Sequence, residues 1–119
     1  VTSGLPAPPL PLAAARMERW RLSHDAVRHR LALVPPLLPE GREELGPFRA
    51  GRSVLTLEIR RRRDALVLRV RLSYGPPIRI DAGPPDGFGA ATAEVDGTAM
   101  GRLAVGFEAA GEHEVIWRR

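Results

Sequence analysis

The sequence predicts an α+β fold, with one N-terminal amphipathic helix packed on an antiparallel sheet of five to six strands, and three observations carry that expectation. Residues 53–74, SVLTLEIRRRRDALVLRVRLSY, alternate apolar and polar on both sides of a charged break, the pattern of a β-hairpin with one buried face. Around residues 12–34, Leu10, Ala13, Met17, Trp20, His24, Val27, Leu31 and Val34 recur at three- and four-residue steps, one stripe along a helix in which only His24 is not apolar. Beyond residue 75 the chain breaks into short alternating runs punctuated by Pro and Gly. The weak point of the helix is Ser23-His24-Asp25. If those residues turn, Met17–Leu22 and Ala26–Val34 become a pair of strands and the fold is an all-β sandwich of seven to eight strands.

Taken in order, residues 1–11 hold four prolines and no charge, which predicts an extended, polyproline-like tail ahead of a single globular domain over residues 12–119. Pro35-Pro36 must end any preceding helix. The stretch from Pro35 to Arg52, with its four prolines and three glycines, reads as a long connection, with one helical turn at Glu43-Glu44-Leu45. The central hairpin reverses at Arg61–Asp64. Ile78 and Ile80 then mark a short strand, Gly83-Pro84-Pro85-Asp86-Gly87 a rigid loop, and three further strands are expected at Ala91–Val95, Arg102–Glu108 and Glu114–Arg118. The first of these ends on an Asp96-Gly97 turn.

Composition narrows the function classes. The chain has 119 residues, 44% of them apolar, and a formal charge of +4. There is no Cys, so there is neither a disulfide framework nor a thiolate nucleophile or metal ligand. No Lys, Asn or Gln occurs and all 18 basic residues are Arg, which reads as a very GC-rich coding sequence of bacterial or phage origin. That bias inflates the isoelectric point, and with 14 carboxylates against the arginines it weakens the argument for nucleic acid as partner. No run of 18 apolar residues is present to cross a membrane as a helix. Compartment stays open.

The chemistry-bearing residues give no catalytic, cofactor or metal assignment. On a helix His24 and His29 stand about 140° apart and cannot grip one metal. Alternation along a strand throws His113 to the face opposite Glu112 and Glu114. The run Gly87-Phe88-Gly89-Ala90-Ala91-Thr92 spaces its glycines like a phosphate loop, but strand and turn follow it where a helix is required. Two groups remain. Arg60, Arg61, Arg62 and Arg63 at the hairpin tip could clamp phosphates or a partner's carboxylates. Trp20, His24 and Tyr74 could face a small apolar ligand between helix and curved sheet.

A long N-terminal helix, a loop and then an antiparallel sheet resembles type IV pilins and type II secretion pseudopilins. The end of the chain, Val95-Asp96-Gly97-Thr98-Ala99-Met100-Gly101-Arg102-Leu103 closing on Val115-Ile116-Trp117, is similar to the sheet end of the minor pseudopilins and also to the last strands of an immunoglobulin-like sandwich. The apolar helix with a Glu near its start that defines the pilin family does not occur, so that resemblance implies a soluble domain only. The function these readings imply is a non-catalytic structural or interaction subunit of a bacterial or phage protein assembly, contacting other protein subunits as a homo- or hetero-oligomer. A small-ligand carrier or a cyclase- or isomerase-type enzyme is the alternative from another class.

Overall fold

The pattern that dominates the molecule is period two. A computed structural model describes residues 16–119, and the expected proline-rich tail at residues 1–11 lies outside the described residues. Ten strands follow in order: β1 (Ser23–Asp25), β2 (Arg30–Leu33), β3 (Arg42–Ala50), β4 (Ser53–Arg62), β5 (Ala65–Tyr74), β6 (Ile78–Ala82), β7 (Thr92–Val95), β8 (Thr98–Met100), β9 (Val105–Ala109) and β10 (Glu112–Arg118). They form two sheets, one of four strands in the order β1-β2-β6-β9 and one of six in the order β3-β4-β5-β10-β7-β8. Every pairing is antiparallel except β2 with β6, which runs parallel.

The hairpin β4–β5 is the longest pairing, from Val54 opposite Tyr74 to Arg62 opposite Ala65. Its inward residues Leu55, Leu57, Ile59, Leu66, Leu68 and Val70 are all fully buried. The strands run further into the charged break than the alternation indicates, leaving only Arg63 and Asp64 as the turn. Leu31, Leu33, Ile78, Ile80 and Val105 of the four-stranded sheet join the same core, with Trp117 of β10 and with Trp20, Leu38 and Phe88 from the connections.

The helix expected over residues 12–34 is absent among the described residues, which begin at residue 16. Residues 16–19 are helical, and no helix of seven or more residues exists among those described, so the α+β expectation gives way to a nearly all-β architecture with two sheets. The stripe that suggested a helix is coincidental. Trp20 and Leu31 are buried, while Val27, on the same stripe, is 96% exposed. The burial of Leu31 and Leu33 beside Arg30 and Ala32 is the alternation of a strand.

The turn also lies elsewhere than at Ser23-His24-Asp25. Those three residues are β1, and the reversal occupies 26–29. There Asp25 Oδ1 accepts hydrogen bonds from the amides of Val27 and Arg28, both at 3.1 Å, and His29 closes the turn with φ of 50°. An Asp side chain that captures two following amides offers the backbone an alternative to helix. Nor is Met17–Leu22 a strand: the Trp20 carbonyl accepts the Val34 amide at 3.0 Å and its indole N–H is given to Glu43 Oε2 at 3.1 Å, which ties residue 20 to the end of β2 and to β3.

The second correction is β3, nine residues of strand where a connection with one helical turn is expected. Its register shifts between Leu45 and Phe48, around Gly46 and Pro47, so the breakers sit in a bulge. Being an edge strand, β3 tolerates a proline without an N–H. Gly46 has φ of 114°, and a Cβ there would lie 2.7 Å from the Leu55 carbonyl. At the other edge, Asp96 and Gly97 both take positive φ, 50° and 83°, the two-residue turn that joins β7 to β8.

Candidate interaction surfaces

The four tip arginines are not equivalent. Arg60 lies 3.9 Å from Glu58, which Arg42 also holds at 2.6 Å. Arg61 is folded back: its Nη1 donates to the Leu38 carbonyl at 3.0 Å, and its guanidinium stands 5.1 Å from the centre of the Phe88 ring. Arg119 stands at the same distance from that ring. Arg62 and Arg63 remain on the surface, where they line a shallow depression of about 380 Å³ with Asp64, Arg118 and Arg119. Arg118 pairs with Glu94 at 3.3 Å, whereas Arg62 and Arg63 make no ion pair among the described residues.

Trp20, His24 and Tyr74 do not meet. Trp20 is fully buried between the sheets, Tyr74 is 69% exposed at the end of β5, and His24 lies exposed on β1. The turn after β1 does bring His24 and His29 into edge contact, with ring centroids 6.4 Å apart. Helical spacing gave no warning of this.

His29 forms the nearest approach to a nucleophile arrangement, with Nε2 at 2.9 Å from Ser53 Oγ. The hydroxyl proton of Ser53 is already given to the Pro76 carbonyl at 2.6 Å, so the imidazole must donate and cannot act as the base. Ser53 is also fully buried. The pair closes the space between β4 and the β5–β6 connection. Similarly, His113 donates from Nδ1 to Asp96 Oδ2 at 2.7 Å while its Nε2 accepts the Ala110 amide at 3.0 Å. Burial pushes the Asp96 carboxyl pKa up, but the hydrogen bonds from His113 and from the Glu114 amide outweigh it, and the net direction is down. Both nitrogens of His113 are engaged, which suits a strut between β7, β9 and β10 rather than proton transfer. Among the described residues no group of three His, Asp or Glu side chains could hold a metal ion.

A depression of about 910 Å³ lies on the outer face of the four-stranded sheet. Register places Ala32, Asp81 and Gly106 in one row across β2, β6 and β9, and Arg30, Arg79 and Glu108 in the next. Asp81 takes both arginines through their Nε atoms, Arg30 on Oδ2 at 2.5 Å and Arg79 on Oδ1 at 3.5 Å. Arg21 and Arg102 complete the rim and make no ion pair among the described residues. The sequence reading missed this group because the parallel pairing that sets Arg30 beside Arg79 joins segments 49 positions apart. One signal was available: Gly106 in the middle of a strand, where glycine marks a close approach.

Fold and surface together define an all-β, two-sheet protein whose open depressions are lined by arginine. No family model, no curated protein and no solved structure matches the chain.

Proposed function

We propose that this protein is a non-catalytic interaction subunit of a protein assembly, docking on acidic surface of neighbouring subunits through the β4–β5 tip. The observation that carries the reading is the division of labour among the tip arginines. Arg61 and Arg119 pack on buried Phe88 and stiffen the turn, while Arg62 and Arg63 stay unpaired beside it. A guanidinium held on a rigid support loses little freedom when it meets a carboxylate, so more of the contact energy appears as affinity. The titratable pairs elsewhere have their protons committed to the fold.

Sedimentation velocity of the wild type and of Arg62→Ser/Arg63→Ser, at about 0.02 M and about 0.5 M salt, tests the reading in its self-assembling form. Self-association that weakens with salt and is lost in the double variant, at unchanged melting temperature, is expected. Association indifferent to both salt and the double variant sinks the tip as the docking element. A monomer under every condition removes homo-assembly and leaves a heterologous neighbour as the partner to be sought.

A further inference from the structure

We infer that the outer face of the four-stranded sheet is a receptor for an extended acidic peptide segment of a partner protein, with Arg30 and Arg79 as its carboxylate clamp. The site is independent of the hairpin tip.

The clamp is built rather than incidental. Asp81 engages Arg30 and Arg79 only through Nε, so the Nη groups of both side chains stay available for a second carboxylate. Placing two arginines directly beside one another on neighbouring strands works against the fold, since like charges opposite each other destabilise a sheet. Asp81 offsets that repulsion and fixes the two forks. Gly106 makes room for them: a Cβ at that position would overlap Arg79 Nη2 and would lie 2.8 Å from Asp81 Oδ1. Its φ is not in the left-handed region, so the backbone at 106 does not itself require glycine. What a side chain there would disturb is the guanidinium layer.

Charge and shape select the ligand. Around the depression stand Arg21, Arg30, Arg79 and Arg102 against one carboxylate, Asp81, which is already shared. The acids at the ends of the neighbouring row do not line it. Asp25 is engaged by two amides and Arg28, and Glu108 projects beside Arg79. Planar guanidinium forks match carboxylates bidentately. Between the arginines the lining is Ala32, Gly83, Gly101, Ala104 and Gly106 with Met100, small residues that leave the backbone open to an extended chain, and it carries no aromatic ring on which a base would stack, which turns the assignment from nucleic acid towards a peptide carrying acidic side chains. The three strands that line the depression, β2, β6 and β9, span roughly 10 Å at the spacing of a sheet, a distance crossed by about four extended residues.

The test is fluorescence anisotropy with a labelled alternating glutamate–leucine hexapeptide, against a lysine–leucine hexapeptide, free glutamate and a single-stranded thymidine hexanucleotide. Saturable binding of the acidic peptide alone is expected, weakened at least tenfold by Arg30→Gln/Arg79→Gln and by Gly106→Val, with melting temperatures near that of the wild type. If Gly106→Val does not fold, the arginine pair decides. Asp81→Ala separates alignment from charge: it adds a net positive charge, yet binding should weaken because the forks lose their anchor. Tighter binding in Asp81→Ala, equal binding of the hexanucleotide, competition by free glutamate at the peptide's own concentration, or no binding by the wild type each overturns the inference. Arg62→Ser/Arg63→Ser should leave peptide affinity unchanged, so failure here and failure of the tip reading can be told apart.

Discussion

The two sheets handle the same residue, arginine, in opposite ways. On the six-stranded sheet five arginines meet carboxylates, Arg69 with Glu114, Arg71 with Glu112 and Arg118 with Glu94 across neighbouring strands, and Arg42 and Arg60 together on Glu58, while Arg49 and Arg62 make no ion pair among the described residues. On the four-stranded sheet Arg30 and Arg79 share Asp81, and Arg21 and Arg102, in the connections that rim its depression, make no ion pair among the described residues. The six-stranded sheet holds the long hairpin on which the core is built, and its charge is neutralised across the middle strands and left open at the β4–β5 tip. The four-stranded sheet is assembled from short strands distant in sequence, and its outer face gathers four arginines around one carboxylate. A face that spends its arginines on cross-strand pairs serves the fold. One that leaves their Nη groups open is available to something else.

The residue that joins the sheets gives the largest expected effect. Trp20 is fully buried, bonds to Glu43 of β3 and receives the Val34 amide beyond β2. Trp20→Ala should cost about 3–5 kcal/mol in a denaturant melt, the range for a buried tryptophan. Leu68→Ala, in the centre of β5 and fully buried, should cost about 2–5 kcal/mol. Because the strand neighbours of Leu68, Ile59 and Val115, both belong to the six-stranded sheet, hydrogen exchange in the Leu68 variant should rise most in that sheet, whereas the Trp20 variant should also expose amides of β2. If both variants open both sheets equally, the distinction between them is lost.

What the sequence made legible follows the same division. The hairpin could be read because its partners are consecutive and each strand shows period two over many residues. The Asp96-Gly97 turn could be read from two residue types. β2 could not, because its four residues are too few to establish a period and its neighbour is β6, far along the chain. The helical stripe won there only because Trp20 and Leu31, buried for separate reasons, fell on one helical face with Val27. β3 was hidden by Gly46 and Pro47, which end a strand unless a bulge at a sheet edge accepts them. Of the candidate site residues, charge alone marked Arg60 to Arg63, but nothing local distinguishes Arg61, turned inward onto Phe88, from Arg62 and Arg63.

An intermediate effect is expected where β7, β8 and β10 meet. Asp96 accepts from His113 and from the Glu114 amide, and its folded pKa lies below its ordinary value. The sign follows directly. A depressed folded pKa means that the unfolded chain takes up the proton first, so the contribution of Asp96 is complete above the ordinary aspartate pKa, about 3.9. It disappears as pH falls through the lower folded value. Asp96→Asn should therefore lower the melting temperature near neutral pH, by the equivalent of about 1 kcal/mol. The difference from the wild type should shrink in the acid range below the ordinary value. A gap that stays constant through that range assigns the effect to geometry rather than ionisation.

The smallest effect separates the architectures most sharply. Val27 is the residue on which a helix and a turn disagree: on a helix it belongs to the buried stripe, whereas in the structure it is 96% exposed between β1 and β2. Val27→Ser should change stability by no more than about 0.5 kcal/mol, as an exposed substitution with no packing partner. Val27→Pro removes the amide that donates to Asp25 Oδ1 and should cost about 1 kcal/mol. His24→Pro falls on an edge strand, where proline is accommodated, and should be similarly mild. In a continuous helix each proline would cost roughly 3 kcal/mol or more. Losses of that size at both positions, with helical circular dichroism, would restore the helix. Two mild prolines and a silent serine fix residues 23–33 as the edge of the four-stranded sheet, beside the face on which Arg30 and Arg79 share Asp81.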